Sequence, residues 1–131
     1  MALNAADRQK LAQLEGFGGR LQHVHGLVER FAVDMNEAER WTQMLRRSLT
    51  QLKMELMGAG LDSMAQQCGA LELAARRGSS RVSKLRILRE GVGSLRQQIE
   101  LEQRAVRSEA ENRKSEDGEV GGATSPPPGE S

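Results

Sequence analysis

Between Leu14 and Leu56, core-type positions recur at steps of three and four without a slip: Leu14, Phe17, Leu21, Val24, Val28, Phe31, Met35, Ala38, Thr42, Leu45, Leu49, Leu52, Leu56. Only Thr42 among them is polar. A stripe sustained this long needs a helix, because only a period near 3.5 residues keeps those side chains on one face. The spacing predicts one long helix over residues 5–57, started by Asn4 as cap with Asp7 in the first turn. Glycine crowding at 16–19 marks a place for a kink. Asn36 with Glu39 has the form of a capping box, but the unbroken phase and the lack of Gly or Pro in 33–40 predict continuity there.

Gly58-Ala59-Gly60 predicts the turn, since glycine past the last periodic residue can take the left-handed conformation that stops a helix. Ser63 with Gln66 reads as a capping box for a second long helix over 61–113. Its seam runs Leu61, Met64, Cys68, Leu71, Ala75, Gly78, Val82, Leu85, Leu88, Val92, Leu95, Ile99, Glu102 and Val106, with a stammer at 82–88 and further break points at 77–80 and 91–93. Residues 1–4 form the cap. Residues 114–131, rich in Ser, Glu, Gly and Pro, lack the apolar anchors that would offset ordering entropy, so a disordered acidic tail is expected there, with Pro126-Pro127-Pro128 locally extended.

The fold class expected is all-α: a long antiparallel helical hairpin of the coiled-coil type, itself half of a four-helix bundle. A turn centred on Ala59 brings residue i near residue 118 − i. That register sets Arg46 opposite Glu72, and the basic run Arg77, Arg81, Lys84, Arg86, Arg89 opposite Glu29, Asp34, Glu37 and Glu39. Unbroken, each helix would be about 80 Å long. A hairpin buries one seam, yet Leu27, Trp41, Met44, Met54, Leu73, Ile87 and Leu101 are apolar and lie off it. Contiguous apolar surface of that kind marks an interface, so these residues are the candidate contacts to another copy of the chain or to a different helical subunit, and the chain is not expected to be monomeric at micromolar concentration.

Charge is unevenly spread: residues 1–75 carry 8 basic and 9 acidic side chains, 76–114 carry 11 and 5, and 115–131 carry 0 and 4. Arg76, Arg77, Arg81, Lys84, Arg86 and Arg89 are therefore candidate contacts to nucleic acid or another acidic surface. Against that reading, no aromatic residue is interleaved for base stacking, and the 118 − i register supplies opposing carboxylates.

Catalytic, metal and cofactor chemistry is not expected. His23 and His25 are about 200° apart around a helix, so they cannot share a metal ion, and neither is followed by the acidic residue expected of phosphorylated histidines in sensor-kinase dimerisation hairpins. The glycine clusters lack a Walker lysine. One cysteine, Cys68, excludes an intramolecular disulfide and suits a reducing compartment; on the seam, it reads as a small buried apolar residue. No stretch approaches the roughly 18 apolar residues of a membrane span, and no apolar signal-type run opens the chain; the expectation is a soluble intracellular protein, with the cytoplasm the favoured compartment.

Ala74-Ala75-Arg76-Arg77-Gly78-Ser79-Ser80 resembles the His-x-x-Lys-Gly-Ser-Ser helix of histidine phosphotransfer bundles. Ala74 stands where the phosphorylated histidine would be, so the resemblance implies a degenerate relative lacking that chemistry. The leading expectation is a non-enzymatic assembly or scaffold subunit working through helix–helix contact with protein, with no small-molecule substrate. Nucleic-acid or acidic-surface binding through 76–89 is the alternative.

Overall fold

The computed structural model describes residues 3–77 and 80–122, with side chains to Arg113. Among the described residues there are α-helices and no strands, so the chain is all-α. Helix α1 spans Ala5–Val33, a 3-10 turn spans Met35–Glu37, α2 spans Ala38–Gly58, α3 spans Asp62–Arg76 and α4 spans Arg81–Gly122. The chain divides into two compact units, Glu15–Ile99 and the two termini (Met1–Leu14 with Glu100–Ser131), through both of which α1 and α4 run.

In the 15–99 unit the four helical segments pack as an up-down-up-down bundle. Contacts between sequence neighbours fix the order: Arg20 pairs with Glu55 at 2.7 Å between α1 and α2, α2 packs along α3, and Gln98 donates to Gln67 between α4 and α3. Closure comes from α1 and α4, where Arg89 donates twice to Glu29 at 2.8 and 2.9 Å and Arg96 donates to Gln22 at 3.3 Å. Both pairs have numbers summing to 118, so the register read from the sequence holds between α1 and α4. Between α2 and α3 the chain reverses on Gly60, whose φ of 78° is in the left-handed region. The Leu61 N–H then reaches back to the Leu56 carbonyl at 2.9 Å, satisfying a helix-end acceptor.

The core takes the expected stripe from every segment: Phe17, Leu21, Val24, Val28 and Phe31 from α1, Leu45, Leu49, Leu52 and Leu56 from α2, Met64, Cys68, Leu71 and Ala75 from α3, and Leu88, Val92, Leu95 and Ile99 from α4. Helix α1 passes through Gly16–Gly19, and α4 through Gly91–Gly93, without interruption.

The first helix does not run from 5 to 57. It stops at Val33 because Asp34 leaves the helical region (φ −103°, ψ 83°) and caps the next turn, accepting the Glu37 N–H at 3.3 Å. The same carboxylate accepts the Trp41 indole N–H at 3.2 Å, and Trp41 swings into the core. The cap is thus Asp34, not Asn36. The second helix is also divided: α3 ends at Arg76, Arg77 is extended (ψ 150°), and the Ser80 hydroxyl accepts the Ser83 N–H at the start of α4. Gly78 and Ser79, central to that expected break, lie outside the described residues. Two other sequence readings give way. Helix α3 opens at Leu61 with no side-chain cap from Ser63, and Val82 is exposed, so the stammer is the start of a helix and no overwound stretch of seam.

In the terminal unit Asn4 and Asp7 cap reciprocally: the Asp7 N–H donates to Asn4 Oδ1 at 2.8 Å and the Asn4 N–H to Asp7 Oδ2 at 3.2 Å. Asp7 also pairs with Arg113, and Leu14, Val106 and Ala110 are buried. Helix α4 continues to Gly122, past the end expected at residue 113; no proline interrupts its backbone before Pro126. Residues 123–131, including the expected polyproline segment, lie outside the described residues.

Candidate interaction surface

Both breaks fall at the same end of the 15–99 unit, and they make it unlike the rest of the molecule. Arg81, the first residue of α4, donates to the carbonyls of Phe31 and Ala32, the latter at 2.7 Å. Its guanidinium lies 4.8 Å from the Phe31 ring centroid, and Lys84 lies 5.7 Å from it. The start of α4 is thereby fastened to the end of α1. Across the α1–α2 break, Arg30 and Arg40 flank the Trp41 ring at 5.5 and 5.3 Å, attractive placements for a cation over an indole face.

The cost of turning the chain twice here is exposed apolar surface. Val33 and Val82 are 78% exposed and Met35 is 71% exposed. The segments that flank the two breaks, 30–40 and 76–86, carry seven basic side chains, Arg30, Arg40, Arg76, Arg77, Arg81, Lys84 and Arg86, against three acidic ones, Asp34, Glu37 and Glu39. Asp34 is engaged by Trp41 and the Glu37 N–H. Among the described residues no carboxylate lies within ion-pair distance of the seven.

Among the described residues, the expected charge compensation is therefore realised only at Arg89. Its bidentate hydrogen bonds hold the Glu29 carboxyl below its ordinary range, and Glu29 in turn raises the Arg89 guanidinium. Arg46 and Glu72, the other expected pair, line one groove of about 550 Å³ with Gln43, Arg47, Thr50 and Gln51, but form no ion pair.

The residues expected to face a partner separate into two sets. Leu27 and Trp41 are buried in the chain's own core, which corrects their assignment as external contacts: folding at Asp34 lets the chain cover them itself. Met44 is half-buried, while Met54, Leu73, Ile87 and Leu101 are exposed. Val33, Met35 and Val82 were missed because Met35 and Val82 sit in seam phase and read as core. The signal that could have found them is Asp34 followed three residues later by Glu37, a capping-box pattern.

Cys68 is fully buried, and burial pushes its thiol up to about 11, with Lys53 opposing slightly. His23 is exposed and His25 half-buried, on different sides of α1. The segment resembling a phosphotransfer helix spans the end of α3, with Ala74 in the helix and Arg77 already extended. Among the described residues no helix is long and apolar enough to cross a membrane, and no cluster of His, Cys, Asp and Glu is placed to hold a metal ion. No protein-family model, curated protein or solved structure matches the chain.

Proposed function

We propose that this chain is a non-enzymatic protein-interaction module that docks, through the Val33, Met35 and Val82 end of its bundle, onto an acidic amphipathic helix of a partner protein. The observation that carries this reading is the combination at one end of three exposed apolar side chains with a basic surround in which, among the described residues, no cation has a carboxylate within ion-pair distance. Exposed apolar surface favours an apolar stripe on the partner, and the unbalanced arginines favour carboxylates flanking that stripe and steer the encounter. Glu37 and Glu39, exposed beside Met35, are tolerable opposite a protein of mixed charge but repel phosphates. Nucleic acid is further disfavoured because Phe17, Phe31 and Trp41 are all buried, leaving no aromatic platform for bases.

The test uses the full chain and three probes: a synthetic Leu/Glu amphipathic helix, single-stranded DNA, and anionic lipid vesicles. Binding to the peptide, reduced at least tenfold by Val33→Ser with Val82→Ser and only modestly by salt, supports the module. Preference for DNA or vesicles, with steep salt dependence and indifference to those substitutions, moves the function to the basic stretch 76–89. Absence of binding to all three sinks the docking reading.

A further inference from the structure

We infer that the Asp34–Glu37 turn is an exchange hinge, by which helix α1 of one copy packs into the bundle of a second copy to give a domain-swapped dimer. The inference rests on the hinge and does not require the docking reading. It starts from a mismatch between pattern and packing: the apolar stripe crosses the turn in unbroken helical phase, as Phe31, Met35, Ala38, Thr42 and Leu45, yet the bundle leaves Met35 71% exposed. Straightening this turn into helix would put Met35 back on the stripe that α1 and α2 share. No Gly or Pro in Val33-Asp34-Met35-Asn36-Glu37-Ala38 breaks a helix there. What opposes it is Asp34, whose carboxylate holds the Glu37 N–H and the Trp41 indole N–H.

A straight α1–α2 helix cannot fold back on its own α2. The buried face of α1, with Phe17, Leu21, Val24, Val28 and Phe31, then needs another surface of the same shape. Only a second copy supplies the matching faces of α2, α3 and α4, along with Glu55 for Arg20 and Arg89 for Glu29. Exchange thus reproduces these α1 contacts between copies, and short hinges joining such elements favour it. The new surface lies where the two straightened hinges pass each other, and there the Val33 and Met35 side chains of both copies become covered.

Light scattering over a concentration series, with the full chain, measures the outcome. Asp34→Ala removes the cap that holds the turn and should lower the dimer dissociation constant about twenty-five-fold, roughly fivefold for each of the two hinges. Met35→Pro sits at the first position of the turn, where proline is tolerated, but in the interior of a straightened helix it should weaken the dimer by more than about a hundredfold per hinge. Exchange is separated from simple sticking in an R20C/E55C/C68A chain, whose purified dimer is treated with a short bismaleimide: a link between chains is expected. The inference is overturned if wild type and Asp34→Ala stay monomeric throughout, if Met35→Pro dimerises like wild type, or if the links in the dimer stay within one chain. Should Met35→Pro fail to fold by circular dichroism, the Asp34→Ala shift and the crosslink decide alone.

Discussion

Gly91 on α4 lies directly against the Leu71 side chain on α3, so close that a single added methyl group would overlap it. This fixes the sign of an otherwise ambiguous substitution. In an exposed helix interior, glycine to alanine gains up to about 1 kcal/mol; here the overlap forces two buried neighbours apart, and overpacking costs about 1–3 kcal/mol. Gly91→Ala should therefore lower stability, while Gly19→Ala, where nothing stands within 4 Å of the added carbon, should raise it. Urea unfolding of both variants, read by circular dichroism, checks the opposite signs.

Trp41 and Met54, both assigned from the sequence to an interface, should respond in opposite ways. Trp41 is buried and hydrogen-bonded to Asp34, so Trp41→Ala should cost about 3–5 kcal/mol. Met54 is 63% exposed, and Met54→Ala should stay within about 0.5 kcal/mol of wild type. A Trp41→Ala chain that melts like wild type would place the indole outside the core.

Arg81 closes the bundle at its basic end by donating to the last-turn carbonyls of α1 at Phe31 and Ala32. Those acceptors have no partner within their own helix, and hydrogen bonds from a charged group contribute about 1.5–3 kcal/mol. Arg81→Met keeps the stem over Phe31 but removes the donors. Faster amide exchange at residues 33–37, with residues 45–56 little changed, is the expected result; uniform acceleration would mean that the contact supports the whole fold.

How much of this was legible follows from what each residue reports. The stripe positions announced their burial, and Gly60 announced its turn, because periodicity and left-handed backbone are local properties. The α1–α4 register was also legible, since equal helix lengths about one turn dictate it. What the stripe could not reveal was that the rods fold again. A phase that continues across Asp34 is compatible with a straight helix and with a turn of suitable length, and the choice rests on one carboxylate and one indole seven residues apart. Once that turn forms, Leu27 and Trp41 change from outward surface to core and Met35 from core to surface; Val82 makes the latter change at the α3–α4 break. The candidate site was therefore readable in its arginines and unreadable in its apolar part.

The buried thiol of Cys68 makes the fold sensitive to alkali. Its value is raised from 9.0 to about 11 by burial, so the folded chain holds the proton more tightly than the unfolded chain does. The sign follows: this contribution is complete below pH 9 and is lost as pH rises through 11, because ionisation then favours unfolding. Two pH units correspond to roughly 2–3 kcal/mol at the limit. Cys68→Ala removes the titration, although it also leaves a small gap in the core where Cys68 is buried, so it should be the less stable protein at pH 7. The difference between wild type and Cys68→Ala in urea unfolding should then narrow steadily from pH 9 to pH 11, a comparison that cancels lysine titration common to both. In parallel, an aromatic disulfide reagent at pH 8 should label the native thiol slowly and the urea-unfolded thiol at once. A stability gap that stays constant across that range, or rapid labelling of the native chain, would show that Cys68 is open to solvent.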